Sequence, residues 1–325
     1  KLNEDYVEGT LTCLKPSTIE GRASAEFPLV LNIEPTNLCN LRCVYCPRER
    51  AAKGRGFMDW DLFTRVVDEA AECGPLVMLN LHKDGEPFMH PRFLDMARYA
   101  RDKDAAKTIH VNTNAMCWDD ATIERMLDSG LDDITVSLDA ARPETFKRLK
   151  GADALERVER SVRRAYELRE RRNLKGPFIR VKIMEFGDVG TDEVREFHEK
   201  WRGVADQVQV TGAHSWSGAI EGLEVTDETS RVRYPCMIMW YAMVLNWDGT
   251  STVCSVDWNT EILLGDANRQ TLSGIWKSPQ ARAARRSQME EGWGRYPVCE
   301  SCVVWVSVGD MRGWIKSRPE FWEDK

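Results

Sequence analysis

Residues 37–50 read NLCNLRCVYCPRER. The stretch sets three thiols, Cys39, Cys43 and Cys46, at i, i+4 and i+7, and puts Pro47 directly after the last. Thiolates so spaced on one loop can close on a single soft metal centre. In a four-iron cube, three protein ligands leave one iron without a protein partner. That iron can take a substrate or cofactor, which a fully ligated electron-transfer cluster cannot. Three buried or zinc-binding cysteines are the plainer alternative.

Strand-like and helix-like runs alternate outward from this loop. LVLNIEP, from Leu29, leads into it as a first strand. WDLFTRVVDEAAE repeats apolar residues at helical spacing, and LVMLNLH, from Leu76, is a second strand. FLDMARYAR, a helix, precedes the strand KTIHVNTN; DATIERMLDSG, a helix stopped by Gly130, precedes the strand DITVSLDA. A charged helix over 154–172, the strand FIRVKIM, the helix TDEVREFHEKWR and the strand DQVQVTG complete the run. Six alternations predict parallel strands with right-handed crossovers, hence an α/β fold. Six units rather than eight suggest a partial (β/α)6 TIM barrel or an open doubly wound sheet. In either, ligands gather at strand C-termini, where the cysteine loop sits. In the charged helix, Glu156 with Arg160 and Glu159 with Arg163 are expected i,i+4 pairs on a solvated face.

The 325 residues are 42% hydrophobic and 30% charged, enough for a full core. A net charge of −7 argues against nucleic acid or anionic membranes as partners. No apolar run reaches the roughly 18 residues of a membrane span, and no signal peptide is visible, so a cytoplasmic location is expected. Ten cysteines in a reducing compartment read as metal ligands or redox groups before disulfides. Zinc-hydrolase, dinucleotide and P-loop motifs are absent, so for a redox enzyme a nicotinamide cofactor is not the obvious carrier.

After about residue 215 the pattern changes. WYAMVLNWDGTSTVCSV reads as a hairpin turning at Trp247-Asp248-Gly249, and LSGIWKSPQARAARRSQ as a helix. Cys236 and Cys254 flank the hairpin, and Cys299 and Cys302 form a C-x2-C. Four thiolates so arranged can saturate a zinc ion or an iron–sulfur cube. Cys13, Cys73 and Cys117 remain as core or surface thiols.

CNLRCVYC, directly after a strand, resembles the motif of the radical S-adenosylmethionine (SAM) superfamily. The resemblance implies a [4Fe–4S] cluster on Cys39, Cys43 and Cys46, with SAM on the fourth iron and Tyr45 near its adenine. KDGEPFMHP resembles the family's Gly-Gly-Glu-Pro stretch, with Asp84 for the first glycine, and implies Gly85, Glu86 and Pro87 at the SAM ammonium. VNTNA resembles its Thr-Asn-Gly and implies Thr113 and Asn114, with Ala115 departing from the glycine. VSLDA implies Ser137 at the ribose; Arg180 or Lys182 is the candidate for the SAM carboxylate.

The later pattern of hairpin, helix and C-x2-C resembles the Twitch domain, the shortened form of SPASM. It implies one auxiliary [4Fe–4S] cluster on Cys236, Cys254, Cys299 and Cys302. The expected domains are an N-terminal extension, 1–28, a radical SAM core, 29–215, and a Twitch domain, 216–325. The layout resembles the Twitch dehydrogenases of aminoglycoside biosynthesis, of the 2-deoxy-scyllo-inosamine dehydrogenase type. That implies oxidation of a secondary alcohol to a ketone, an external electron donor such as flavodoxin or ferredoxin, and a base for the hydroxyl proton. His214 is the candidate base, because GAHSWSGAIEG lacks the arginine expected there. Trp216 is a candidate substrate wall. Two alternatives stay open. A sugar epimerase would return a hydrogen from a thiol such as Cys117. A ribosomal-peptide maturase would be expected to carry more than about 28 residues before the first strand.

Overall fold

The computed structural model describes residues 13–185, 189–212, 216–220 and 232–323. One nine-stranded sheet organises them: β1 (Val30–Ile33), β2 (Leu76–Asn80), β3 (Ala106–Thr113), β4 (Asp133–Ser137), β5 (Phe178–Glu185), β6 (Gln207–Gly212), β7 (Ala242–Leu245), β8 (Thr250–Thr252) and β9 (Leu263–Asp266). The order across the sheet is β6-β5-β4-β3-β2-β1-β7-β8-β9. The first six strands run parallel and sequentially, without the reversal of order that a doubly wound sheet requires. This is the partial-barrel alternative.

Local chemistry explains the elements. All five residues of β2 are buried, as a parallel strand covered on both faces requires. Helix Trp60–Glu72 starts where Asp59 accepts from the Asp61 and Leu62 amides, and it buries Leu62, Phe63, Val66, Val67 and Ala70. Asp119 caps helix Asp120–Leu127 the same way. Helix Pro143–Lys150 ends at Gly151, in the left-handed conformation that glycine takes without strain.

One expectation needs correcting. Glu156 and Arg160 do face each other, at 3.9 Å and largely exposed. Glu159 instead pairs with Lys200 at 2.5 Å, and Arg163 donates to the Lys200 carbonyl. Helix Thr191–Trp201 docks against this face, so tertiary contact replaces the local pair. The predicted hairpin forms, with Val244 opposite Thr252 and Leu245 opposite Ser251. It does not make a sheet of its own, because β7 lies parallel to β1 from Val30↔Ala242 to Ile33↔Leu245.

Helices cover one face of the six-strand array. The other face carries a polar rung on β1 to β4, where half-buried Asn32 stands in register with buried Asn80, His110 and Asp133.

Candidate active site

The cysteine loop leaves β1 and is braced from three directions. The Thr36 hydroxyl donates to the Gly56 carbonyl at 2.6 Å and accepts from the Leu38 amide. The Asn37 side chain pairs with Gly54 and Gly56. On the far side, the Arg42 and Val44 amides donate to the carbonyls of Lys150 and Leu149. Pro47 opens the 3-10 turn Pro47–Arg50, which ends the loop. Burial raises the Cys39 thiol, and pushes Cys46 up to about 11. Stable thiolates there need a cationic partner, such as a metal centre.

The ends of β2 and β3 close on this loop. A Cβ on Gly85 would stand 2.1 Å from the Thr36 carbonyl oxygen and 2.7 Å from that of Leu38, so only glycine fits. The Glu86 amide donates to the Leu38 carbonyl at 2.8 Å. Buried Glu86 accepts from Thr113 Oγ1 at 2.6 Å, the Asn114 amide at 2.7 Å and the Phe88 amide at 3.2 Å. Burial pushes its carboxyl up to about 7. The carboxylate thus locks β3 to the loop after β2, and Pro87 opens the 3-10 turn that follows. The Asn114 side chain donates to Asn40 and accepts from the Met116 amide. Ala115, where the resembled motif has glycine, has φ +56°. Thr113 also accepts from the Ala115 amide. Thr113→Val should therefore cost about 1–3 kcal/mol by leaving a buried amide unpaired, with most restored in Thr113→Ser. Urea midpoints check this; equal midpoints for wild type and Thr113→Val would refute it.

At the end of β4, Ser137 is half-buried, and Asp139 lies just beyond it. The Tyr45 hydroxyl donates to Asp139 at 2.8 Å, and buried Lys150 reaches the same oxygen at 2.6 Å. Burial opposes the charge on Lys150, yet Asp139 and then the Cys43 thiolate hold its pKa above the ordinary value. Sequence reasoning passed over this pair. Asp139 stood inside a quoted motif, but nothing local marked Lys150. Lys182 Nζ lies 3.9 Å from Asp139. Arg180 does not join them. Its guanidinium is buried and bound to Asp133 at 2.8 Å, to Gln207 and to Thr135, toward the strand starts. Of the two candidates for the SAM carboxylate, only Lys182 faces the strand ends.

A charged knot joins the loop to the hairpin. Asp84 takes Lys53 and Lys83, both at 2.7 Å, and buried Glu34 accepts from the Asp84 and Trp247 amides. Burial, then Asp84, raises Glu34 to about 6. Lys83 also donates to the Asp257 carbonyl.

Cys236, Cys254, Cys299 and Cys302 form the second thiol group. Burial, and then the neighbouring sulfurs, raise Cys236, Cys254 and Cys299 far above the ordinary thiol value. Arg233 stands beside three of these thiols, between the rings of Trp293 and Trp305. No disulfide ties the ten cysteines. Among the described residues, no three His, Cys, Asp or Glu side chains are grouped as a single metal ion would need. Free thiols near enough to raise one another's pKa suit a larger soft centre.

Residues 216–220 bond to both cysteine-bearing loops. Trp216 Nε1 donates to the Tyr45 carbonyl at 2.9 Å, and Arg50 donates to the Ala219 carbonyl. Ser301, between Cys299 and Cys302, donates to the Ser217 carbonyl at 2.8 Å. Trp216 thus stands against the first loop. His214 lies outside the described residues.

The Radical SAM superfamily model matches residues 33–175, and the SPASM model, an iron–sulfur cluster-binding domain, matches 236–303. A tungsten-containing aldehyde ferredoxin oxidoreductase cofactor-modifying protein of Pyrococcus furiosus is 34% identical over 34% of this chain and 30% of its own. A GTP 3′,8-cyclase of Chlorobaculum tepidum is 27% identical over 53% and 49%. The chain thus spans half or less of these curated relatives. BtrN in complex with AdoMet and 2-DOIA superposes at TM-score 0.60 and 16% identity, over 87% of this chain and 95% of BtrN. Streptococcus suis SuiB bound to precursor peptide SuiA gives 0.68 and 15%, over 92% and 76%. At such identities the structures share the fold. Among the described residues no helix is long and apolar enough to cross a membrane.

Proposed function

The chain carries a radical SAM domain followed by a SPASM-type iron–sulfur domain, and from that premise we propose that it oxidises a secondary alcohol of an aminocyclitol or aminoglycoside-type sugar to a ketone. The two domains imply SAM and [4Fe–4S] clusters. Cys39, Cys43 and Cys46 would hold one cluster, and Cys236, Cys254, Cys299 and Cys302 the other. When bound, these groups supply hydrogen-atom abstraction by a 5′-deoxyadenosyl radical and an acceptor for the electron the substrate then gives up.

One observation carries the reading: residues 216–220 bond to the first cysteine loop at Tyr45 and to the second at Ser301. A substrate against this segment has both thiol groups at hand, as an oxidation that removes a hydrogen atom and then an electron requires. The protein's own work is to seat SAM on the closed ends of β2, β3 and β4, and to take the hydroxyl proton. A flavodoxin or ferredoxin fits as external donor.

The test uses the alcohol with deuterium on its carbinol carbon. One 5′-deoxyadenosine should form per ketone, and the deuterium should appear in it. Solvent deuterium entering the substrate's C–H, without ketone, would make the protein an epimerase. Cys117 gives that second reading its thiol, since its Sγ accepts from Asn40 beside the first loop, at 3.4 Å.

A further inference from the structure

The inner face of the strands carries three polar atoms that are buried and unpartnered: Asn80 Oδ1, His82 Nδ1 and His110 Nε2. Their neighbours fix what each can do. Asn112 Nδ2 lies 2.6 Å from His82 Nε2, so the amide donates, Nε2 is bare and Nδ1 carries the ring proton. Asp133 Oδ1 lies 2.9 Å from His110 Nδ1, which puts that ring's proton on Nδ1 and leaves Nε2 an acceptor. Asn80 Oδ1 is an acceptor by nature. The set is one donor and two acceptors, the complement of one water molecule. Its members are close. Asn80 and His110 are cross-strand partners, and the two imidazole centroids are 5.5 Å apart with rings nearly perpendicular. A buried water typically makes about three hydrogen bonds, and buried polar atoms are costly to leave unpaired.

We propose that Asn80, His82 and His110 hold one buried water, and that this water passes the proton of the substrate's hydroxyl from His82 to His110. The second half rests on the alcohol-oxidation reading above. The transfer balances. The hydroxyl, taking the place of Asn112, gives its proton to His82 Nε2. His82 releases its Nδ1 proton to the water, and the water gives one of its own to His110 Nε2. One proton has moved, His82 has changed tautomer, and His110 has become an imidazolium. Asp133 faces that cation from behind, itself held by Arg180 at 2.8 Å. The same order of carboxylate, imidazole and hydroxyl serves general-base catalysis elsewhere. Burial, then His110 and Lys182, push the His82 pKa well down, so His82 conducts the proton and does not keep it.

A crystal structure of the cluster-loaded protein should show one water within about 3.2 Å of all three atoms. It should be lost in His82→Phe. No water there, or a substrate hydroxyl in its place, overturns the relay. In the ketone assay, His110→Gln and His82→Gln should each lower kcat by roughly 10²–10⁴-fold with KM unchanged. Both leave the Asp133–Arg180 pair intact, and circular dichroism confirms folding. A fall below about fivefold in either variant overturns the proton role, even if the water is seen. If the wild type makes no ketone while the water is present, the alcohol reading fails and the water site stands.

Discussion

Reconstituted without oxygen, Cys43→Ala should hold about four irons where the wild type holds about eight, and should form no 5′-deoxyadenosine from SAM under reductant. Cys43 lies on the short arc between Val44, tied to Leu149, and Arg42, tied to Lys150. Removing its sulfur leaves only two donors on a loop that cannot shift to supply a third. Nothing in the second thiol group depends on it, so the remaining irons should stay. Iron and sulfide analysis reads the first effect, chromatography the second, and circular dichroism excludes unfolding. Persistent SAM cleavage would remove the radical SAM reading. Zinc in place of the residual iron would remove the auxiliary cluster.

Gly85→Ala should be nearly as damaging, with no ligand changed. The added methyl meets two backbone oxygens, at 2.1 and 2.7 Å, and no side chain can rotate away to relieve them. Either the loop at Thr36–Leu38 or the end of β2 must move. We expect a loss on the order of 3 kcal/mol in urea unfolding, and poor retention of the first cluster. Gly21→Ala is the control. It sits in helix Pro16–Arg22 with nothing within 4 Å of its Cβ position, and should be neutral or mildly stabilising. A Gly85→Ala protein with wild-type iron and midpoint would mean that the two segments are not in contact.

The six parallel strands were legible because each is a local apolar run with its own stop signal. Both cysteine groups were legible because thiol spacing is local too. What escaped depends on residues far apart in sequence. Asn32 contacts Met243 across 211 residues, and no periodicity marks that β7 extends the core sheet. Glu159 took a partner from the next helix, which the i,i+4 rule cannot see. Arg180 sat on the correct strand, but its distance from the strand end shows only once the register with Thr135 and Gln207 is known. His110 and Asp133 read as ordinary strand residues until cross-strand pairing sets them side by side. Ala115 is the opposite case: its departure from glycine was visible in sequence, and the structure supplies the reason glycine is suited there.

Placing β7 beside β1 has a bearing on how the chain is made. β1 lies inside the finished sheet, yet its open edge waits for a strand 211 residues further on. At about 5–20 residues per second, a ribosome takes on the order of 10–40 s to deliver it. Through that interval the nascent sheet ends in bare amides and carbonyls, the condition most prone to edge-to-edge association. Trp247, whose ring lies against Gly56 behind the cysteine loop, has not yet arrived. The loop is then open on a side that is later closed. That side of the loop closes only when Trp247 and the hairpin that carries it are in place.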